Sequence, residues 1–436
     1  MKVKKLSLFF IIIITLILSF PAEIIAEESN VDIHHAEEVR IDKEFGVEIS
    51  NLKPGQEYQI EIVDRDSEGK EWLNQKNFEP ETKTFIIEED IMMELIQLME
   101  PTNSDHEEPF VPPVDFGESF ETDILIKEEG ETIASSQIIR WLGDPEVEEI
   151  NMDHPDLIGN LYKPPSKEGV PGALVLHGSD PSPADSLAYM LASNGIAALA
   201  IQYFGMGPEI PDYLVEVPLE YIEEAGEWML DYDWIKGDQL GIIGNSRGGE
   251  LALLAASYLD IFGSTVVIAG SGLVFEGIAM GAISPGAAWS YQGEPVDYIP
   301  YSRDYEVIPS GPIQELEPYY SASYEEAEED QIEDATIPVE NIDGPILMVS
   351  GADDKMWNSV ELLKPAERRL KENDQPYEVK HLIFGNAGHA ISFPYLPTAN
   401  LEVLGSYYMG GSQEGYAQAD AEHWTEVLRF LKLNNQ

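Results

Sequence analysis

The chain has 436 residues, 43% of them hydrophobic, and contains no cysteine. That length exceeds one ordinary compact core and the apolar content excludes wholesale disorder, so two folded domains held by packing alone, without disulfides, are expected. Acids outnumber bases 81 to 25, a formal net charge of −56, and such a field repels nucleic acid and anionic membranes.

Residues 1–26 read as a secretory signal peptide. Lys2, Lys4 and Lys5 precede the apolar run "LSLFFIIIITLILSF", and small residues follow at Ala22 and Ala26, where cleavage is expected. If uncleaved, the run is long enough to serve as a membrane anchor; no later segment is apolar enough to span a bilayer. The expected protein is therefore bacterial, exported, and free of the membrane once the peptide is removed. The carboxylate excess predicts adaptation to saline or alkaline surroundings, because salt screens self-repulsion that loosens the compact state. Thermal melts from low to molar NaCl should show Tm rising strongly, and a flat response removes the idea.

Residues 27–142 read as all-β. Short alternating runs at 45–49 and 58–63 are separated by Lys53-Pro54-Gly55, and further runs follow at 84–87 and 120–126. Strands at that spacing suggest a β-sandwich. The stretch "DRDSEG" shares its opening acids with a calcium loop, but the later ligands are missing and a hairpin turn is expected instead.

From residue 150 to 436 the pattern alternates. Apolar strands are predicted at 173–177, 197–202, 239–244, 265–269, 345–350 and 379–384, with helices at 183–194, 218–231, 248–259 and 360–372. Such alternation makes an α/β domain with a mostly parallel sheet covered on both faces. Residues 276–340 interrupt it; they are rich in Pro, Gly and Tyr, and their acidic run "EEAEEDQIEDA" reads as a solvated surface insertion. No internal repeat is present.

Chemistry concentrates in "GIIGNSRGGE", residues 241–250, where Ser246 stands between Gly244 and Gly248 at a strand-to-helix junction. This is the nucleophile-elbow pattern: a sharp turn lifts the serine above the sheet, and the positions two residues away must be small. A serine hydroxyl needs a base, and the base needs an acid to hold it, in the chain order serine, acid, histidine. "PILMVSGADDKMW" places Asp354 after a buried strand; Asp353 competes, but its side chain should point elsewhere. "FGNAGHAISFPY" carries His389 in a loop after the last strand. His34, His35, His106, His154, His381 and His423 have weaker positions, and His177 is expected to shape the loop after the first strand of the α/β domain. The oxyanion donors are expected to be the backbone N–H of Arg247 and that of Gly178 or Ser179 in "LVLHGSDPS". No cofactor and no metal site is expected.

These residues also carry a resemblance. The chain resembles the acyl-CoA thioesterase and bile acid-CoA:amino acid N-acyltransferase family, in "LKPGQEYQIEI", "LEYIEEAGEWM", "GIIGNSRGGELALLAAS", "IPVENIDGPILMVSGADDKMW", "AGHAISFPYLP" and "GGSQEGYAQADAEHWTEVLRFL". The resemblance implies an immunoglobulin-like N-terminal sandwich joined to an α/β-hydrolase domain, with Ser246 as nucleophile, Asp354 as acid and His389 as base. It departs in two places: "HGSDPSP" stands where relatives often carry a run of glycines, and relatives mostly act inside cells. Relatives that conjugate amino acids tend to carry cysteine as nucleophile, so serine here implies water as acceptor. The expected activity is hydrolysis of an acyl thioester or ester through an acyl-enzyme. Alternatives are a secreted carboxylesterase, a serine peptidase of the same fold, or a non-catalytic exported binding protein. Five basic residues lie near the motifs and could meet a phosphorylated leaving group: Arg247, Lys355, Lys364, Arg368 and Arg369.

Overall fold

The structure is a computed structural model that describes residues 31–103, 106–166, 169–207, 210–279, 285–303 and 313–433. The apolar stretch read as a signal peptide lies outside the described residues. Among the described residues, no helix is long and apolar enough to cross a membrane.

An eight-stranded sheet forms the frame of the C-terminal region. Its strands are β1 (Glu148–Asn151), β2 (Ile158–Lys163), β3 (Gly172–Leu176), β4 (Ala197–Gln202), β5 (Leu240–Asn245), β6 (Phe262–Ile268), β7 (Ile346–Gly351) and β8 (Val379–Phe384). They run in the order β1-β2-β4-β3-β5-β6-β7-β8. β1 and β2 pair antiparallel and β2 joins β4 antiparallel; every later pairing is parallel. This topology is that of an α/β-hydrolase. The six strands expected from the sequence are all present; β1 and β2 were not expected, because their apolar positions are few and short.

Side chains two apart share a face, and the two faces bury different helices. Ala173, Val175, Ala198, Ala200 and Ile243 pack under α1 (Asp185–Ser193). Leu174, Leu176, Leu199, Ile201 and Ile242 pack against α2 (Leu219–Leu230) and α3 (Arg247–Tyr258). Between β6 and β7 lie α4 (Glu317–Glu326) and α5 (Glu329–Ala335). α6 (Ser359–Glu372) then joins the face of α2, and α7 (Gln413–Leu431) joins that of α1.

The insertion at 276–340 is more than a surface element. Its acidic run is exposed as expected, and α5 opens with a capping box between Glu328 and Gln331. Tyr301, Tyr320 and Ala335, however, enter a satellite core with Leu273, Phe275, Trp357 and Leu362. The aromatic residues that looked like loop composition are packing residues.

The N-terminal region holds a three-stranded sheet (Asp32–His34, Val47–Ser50, Phe85–Ile87) and a six-stranded one. The larger sheet contains the long strands Tyr58–Arg65, Glu71–Phe78, Ser119–Glu128 and Glu131–Trp141. Val47, Ile49 and Ile87 of the small sheet share one core with Ile60, Ile62, Ile124 and Ile126 of the large one, so the two sheets form a sandwich. "DRDSEG" is the hairpin turn expected: Asp66 accepts from the backbone N–H of Glu68 and Lys70. A helix at Glu89–Gln97 breaks the all-β expectation; Met92, Met93, Leu95 and Ile96 line its buried face. The two regions share cores across the expected boundary at 142–150. Ile41, Phe120 and Leu142 pack into the C-terminal core, and Tyr395 and Ala399 pack into the sandwich. From Val31 onward the chain is one compact unit.

Candidate active site

Parallel pairing places the carboxyl ends of β3, β5, β7 and β8 along one edge of the sheet, and the candidate residues follow those ends. Leu176 of β3 is level with Gly244 of β5. Two residues further along both chains, Gly178 therefore reaches Ser246: a Cβ on Gly178 would lie 3.3 Å from the serine Cβ.

Ser246 joins β5 to α3 with φ 56° and ψ −124°. A non-glycine residue held there costs on the order of 1–3 kcal/mol, a strain characteristic of a functional turn. The flanking glycines are obligatory for space. A Cβ on Gly244 would lie 2.0 Å from the Gly248 carbonyl oxygen, and one on Gly248 would lie 2.2 Å from the carbonyl oxygen of His177.

His389 follows β8, and its Nδ1 lies 2.9 and 3.0 Å from the two carboxylate oxygens of Asp354. Asp354 is buried, and its Oδ1 also accepts from the backbone N–H of Met356 and Trp357. These donors fix the carboxylate, and with Nδ1 committed the imidazole presents Nε2 for proton transfer. Asp353 points elsewhere, pairing with Lys355 at 3.1 Å and accepting from the Gly411 N–H. Of the two adjacent acids, Asp354 is the one that meets the imidazole. The Trp357 ring meets His389 edge-on at 6.3 Å, and its Nε1 donates to the Ala269 carbonyl.

Ser246, His389, Gly178, Ser179 and Arg247 all line one cavity of about 1050 Å³. Its walls also include Leu187, Tyr301, Tyr320, Ile391, Phe393 and Trp424. From sequence none of these wall residues carries a role, although Ile391, Phe393 and Trp424 lie within stretches that carry the family resemblance.

His177 stacks on Tyr203 with ring centroids 3.9 Å apart, and its Nδ1 donates to the Gly178 carbonyl. Burial lowers its pKa to about 4, so it stays neutral and holds the loop that carries Gly178 and Ser179. His423 also borders the cavity, but it is buried, lowered to about 4 by burial, and bonded to the Ala419 carbonyl. The remaining rejected histidines stand away from it: His381, for one, bonds Glu367 and Ser350.

The Arg247 side chain turns into the protein. It pairs with Glu250 at 3.3 Å, donates to the Phe275 carbonyl and stands over the Trp289 ring. Burial pushes the Glu250 carboxyl up to about 7 against the pull of Arg247 and of the Trp289 N–H. Of the other basic candidates, Lys364 pairs with Glu361 and Arg369 with Glu340. Lys355, Lys364, Arg368 and Arg369 do not border the cavity.

Residues 217–435 match the family described as BAAT / Acyl-CoA thioester hydrolase C terminal. The chain is 30% identical over 297 residues to the bile acid-CoA:amino acid N-acyltransferase of Mus musculus, covering 67% of each chain. It is 28% identical over 283 residues to acyl-coenzyme A thioesterase 6 of Homo sapiens, covering 62% of each. Among solved structures, the acylaminoacyl peptidase of Pyrococcus horikoshii is similar at a TM-score of 0.42 and 12% identity, covering 93% of this chain and 70% of that one. The fold described above rests on the chain's own strand order. With half of its length matched and its catalytic-region topology that of the hydrolases, the chain belongs to the family of bile acid-CoA:amino acid N-acyltransferases and acyl-CoA thioester hydrolases, and is an enzyme of the hydrolase type.

Proposed function

We propose that the protein is a serine hydrolase that cleaves carboxylic thioesters or esters with a medium or long acyl chain, using water as acceptor. The observation that carries this reading is the strained Ser246 turn sharing one cavity with a histidine held by a buried aspartate. His389 Nε2 takes the Ser246 proton as Oγ attacks the acyl carbon. The tetrahedral oxyanion is received by the N–H of Arg247 and that of Gly178 or Ser179, and the leaving group departs with the proton from His389. Water, deprotonated by His389, then releases the acid. Asp354 keeps the imidazole in the required tautomer and stabilises its cation. Export through the apolar leader is part of the same proposal. Incubation with a fluorophosphonate, followed by peptide mapping, tests the activated serine. Labelling confined to Ser246 is expected, and a silent Ser246 with no turnover of acyl-CoA, aryl ester or peptide substrates overturns the reading in favour of a binding protein.

The thioesterase relatives are named for acyl-coenzyme A, and CoA thioesters are proposed as accepted substrates here. Among the described residues lining the cavity, Arg247 is the only lysine or arginine, and it is committed to Glu250. A net charge of −56 repels the phosphates of CoA, most strongly at low salt. For an acyl-CoA, kcat/KM should therefore rise with ionic strength, while an uncharged thioester of the same chain length stays nearly level. A steep fall for the acyl-CoA instead would show a basic docking site and make CoA the natural leaving group.

A further inference from the structure

A second cavity, of about 610 Å³, opens between the sandwich and the hydrolase region. Phe110, Val114 and Phe116 line it from the N-terminal side, and Leu396 and Leu401 from the loop after His389. It meets the Ser246 cavity along a shared border: Ser186, Ser392 and Phe393 line both. Phe393 stands at that junction, half-buried, with the Phe116 ring 6.1 Å away on one side and the Trp424 ring 6.5 Å away on the other. Trp424 belongs to the wall of the first cavity and Phe116 to that of the second. Asp420, buried beneath, accepts from the Ser392 N–H at 2.7 Å and so anchors the segment that carries Phe393.

The chemistry of the walls selects the occupant. They are mainly aromatic, aliphatic and proline side chains, and the ionisable residues among them, Asp115, Glu118 and Asp420, are all acids. Burial raises the Asp420 carboxyl well above the usual carboxylate range, which suits an apolar neighbour. An anion would meet only acids here; an alkyl chain meets surface it can cover. The border shared with the Ser246 cavity at Ser186, Ser392 and Phe393 points to the substrate itself as the source of such a chain.

We propose that the second cavity receives the distal part of a long acyl chain whose carbonyl lies at Ser246, and that Phe393 at the junction sets chain-length preference. The inference rests on the hydrolase reading above. It assigns the sandwich a part in the site: the segment carrying Phe110, Val114 and Phe116 forms one wall of the acyl groove. Phe393 acts on specificity and takes no part in bond making.

Each methylene moved from water into such a groove favours binding by roughly fourfold, so blocking space for two or more should cost at least about tenfold. Val114→Trp fills the groove from the sandwich side and Leu401→Trp from the other, both away from Ser246; Phe393→Ala opens the junction. Turnover is measured on neutral aryl esters from butyryl to palmitoyl, with folding checked by thermal melts. In the filled variants, kcat/KM for palmitoyl should fall at least about tenfold while butyryl changes less than about twofold. In Phe393→Ala, the palmitoyl-to-butyryl ratio should shift by at least about threefold. A ratio unmoved in folded filled variants overturns the proposal while leaving the hydrolase reading intact. A second measurement does not depend on turnover: palmitate binding to Ser246→Ala, with and without Val114→Trp. Binding weakened at least about tenfold by the tryptophan supports the groove even if no ester is hydrolysed, and unchanged binding overturns it.

Discussion

Ser246→Ala and His389→Ala should each remove nearly all turnover and leave the fold unchanged. In the proposed mechanism the serine supplies the attacking oxygen and the histidine relays its proton, so the two act as a unit. Loss of either costs several orders of magnitude in kcat, on the order of 10⁴ to 10⁶. Ser246→Ala removes only one oxygen and keeps the Gly244 and Gly248 packing, so Tm should move by no more than a few degrees. Asp354→Asn should cost about 10⁴ or somewhat less, because an amide beside Nδ1 permits the wrong tautomer. Asp353→Asn should cost little, since that carboxylate faces Lys355 and the Gly411 N–H instead of the imidazole. The measurement is kcat for all four variants on one neutral ester. If Asp353→Asn is the more damaging of the two acid variants, the assignment of the acid is wrong.

Arg140→Ala should destabilise the protein by about 3–5 kcal/mol, the range for removing one partner of a buried ion pair. Arg140 and Asp64 are 1% and 0% exposed. Arg140 Nη1 donates to Asp64 Oδ2 at 3.1 Å, Thr122 donates to Oδ1 at 2.6 Å, and Arg140 Nη2 donates to the Tyr395 carbonyl. The guanidinium thus ties two strands of the sandwich to a loop of the hydrolase region. Truncating it leaves the Asp64 carboxylate without its countercharge in a site where burial already raises its pKa. Urea unfolding should show the loss. The double variant Arg140→Leu/Asp64→Leu should recover much of it, because two apolar side chains leave no buried charge behind. A loss below about 1 kcal/mol for Arg140→Ala would mean that water reaches the pair and that it does not hold the two regions together.

The elements that could be read without coordinates are those governed by neighbours in the chain. Near-continuous apolar runs in 173–176, 197–202 and 346–350 announced buried parallel strands, because a strand buried on both faces needs apolar side chains at successive positions. The elbow was legible because small residues two positions either side of a serine at a strand-to-helix junction form a local pattern. Gly244 is confined by the nearby Gly248 carbonyl, whereas Gly248 is confined by the distant His177 carbonyl. The order Ser246, Asp354, His389 followed from the strand ends that each one trails. The antiparallel strands β1 and β2 were missed because Glu148–Asn151 and Ile158–Lys163 are short and only partly apolar. The helix at Glu89–Gln97 was missed because one turn-rich β pattern surrounds it.

Only the tertiary structure decided which side chains meet. Spacing favoured Asp354 over Asp353, but only the folded chain shows the Met356 and Trp357 N–H groups and His389 gathered around Asp354. Arg140 lies 76 residues from Asp64, and no local pattern links them. The tyrosines at 301 and 320 look like insertion composition until the chain folds them over the Ser246 cavity. Sequence periodicity determines which face of an element is buried, since that depends on residues two to four apart. Partner choice depends on where distant segments arrive, and the strand order β1-β2-β4-β3-β5-β6-β7-β8 brings them to the same edge.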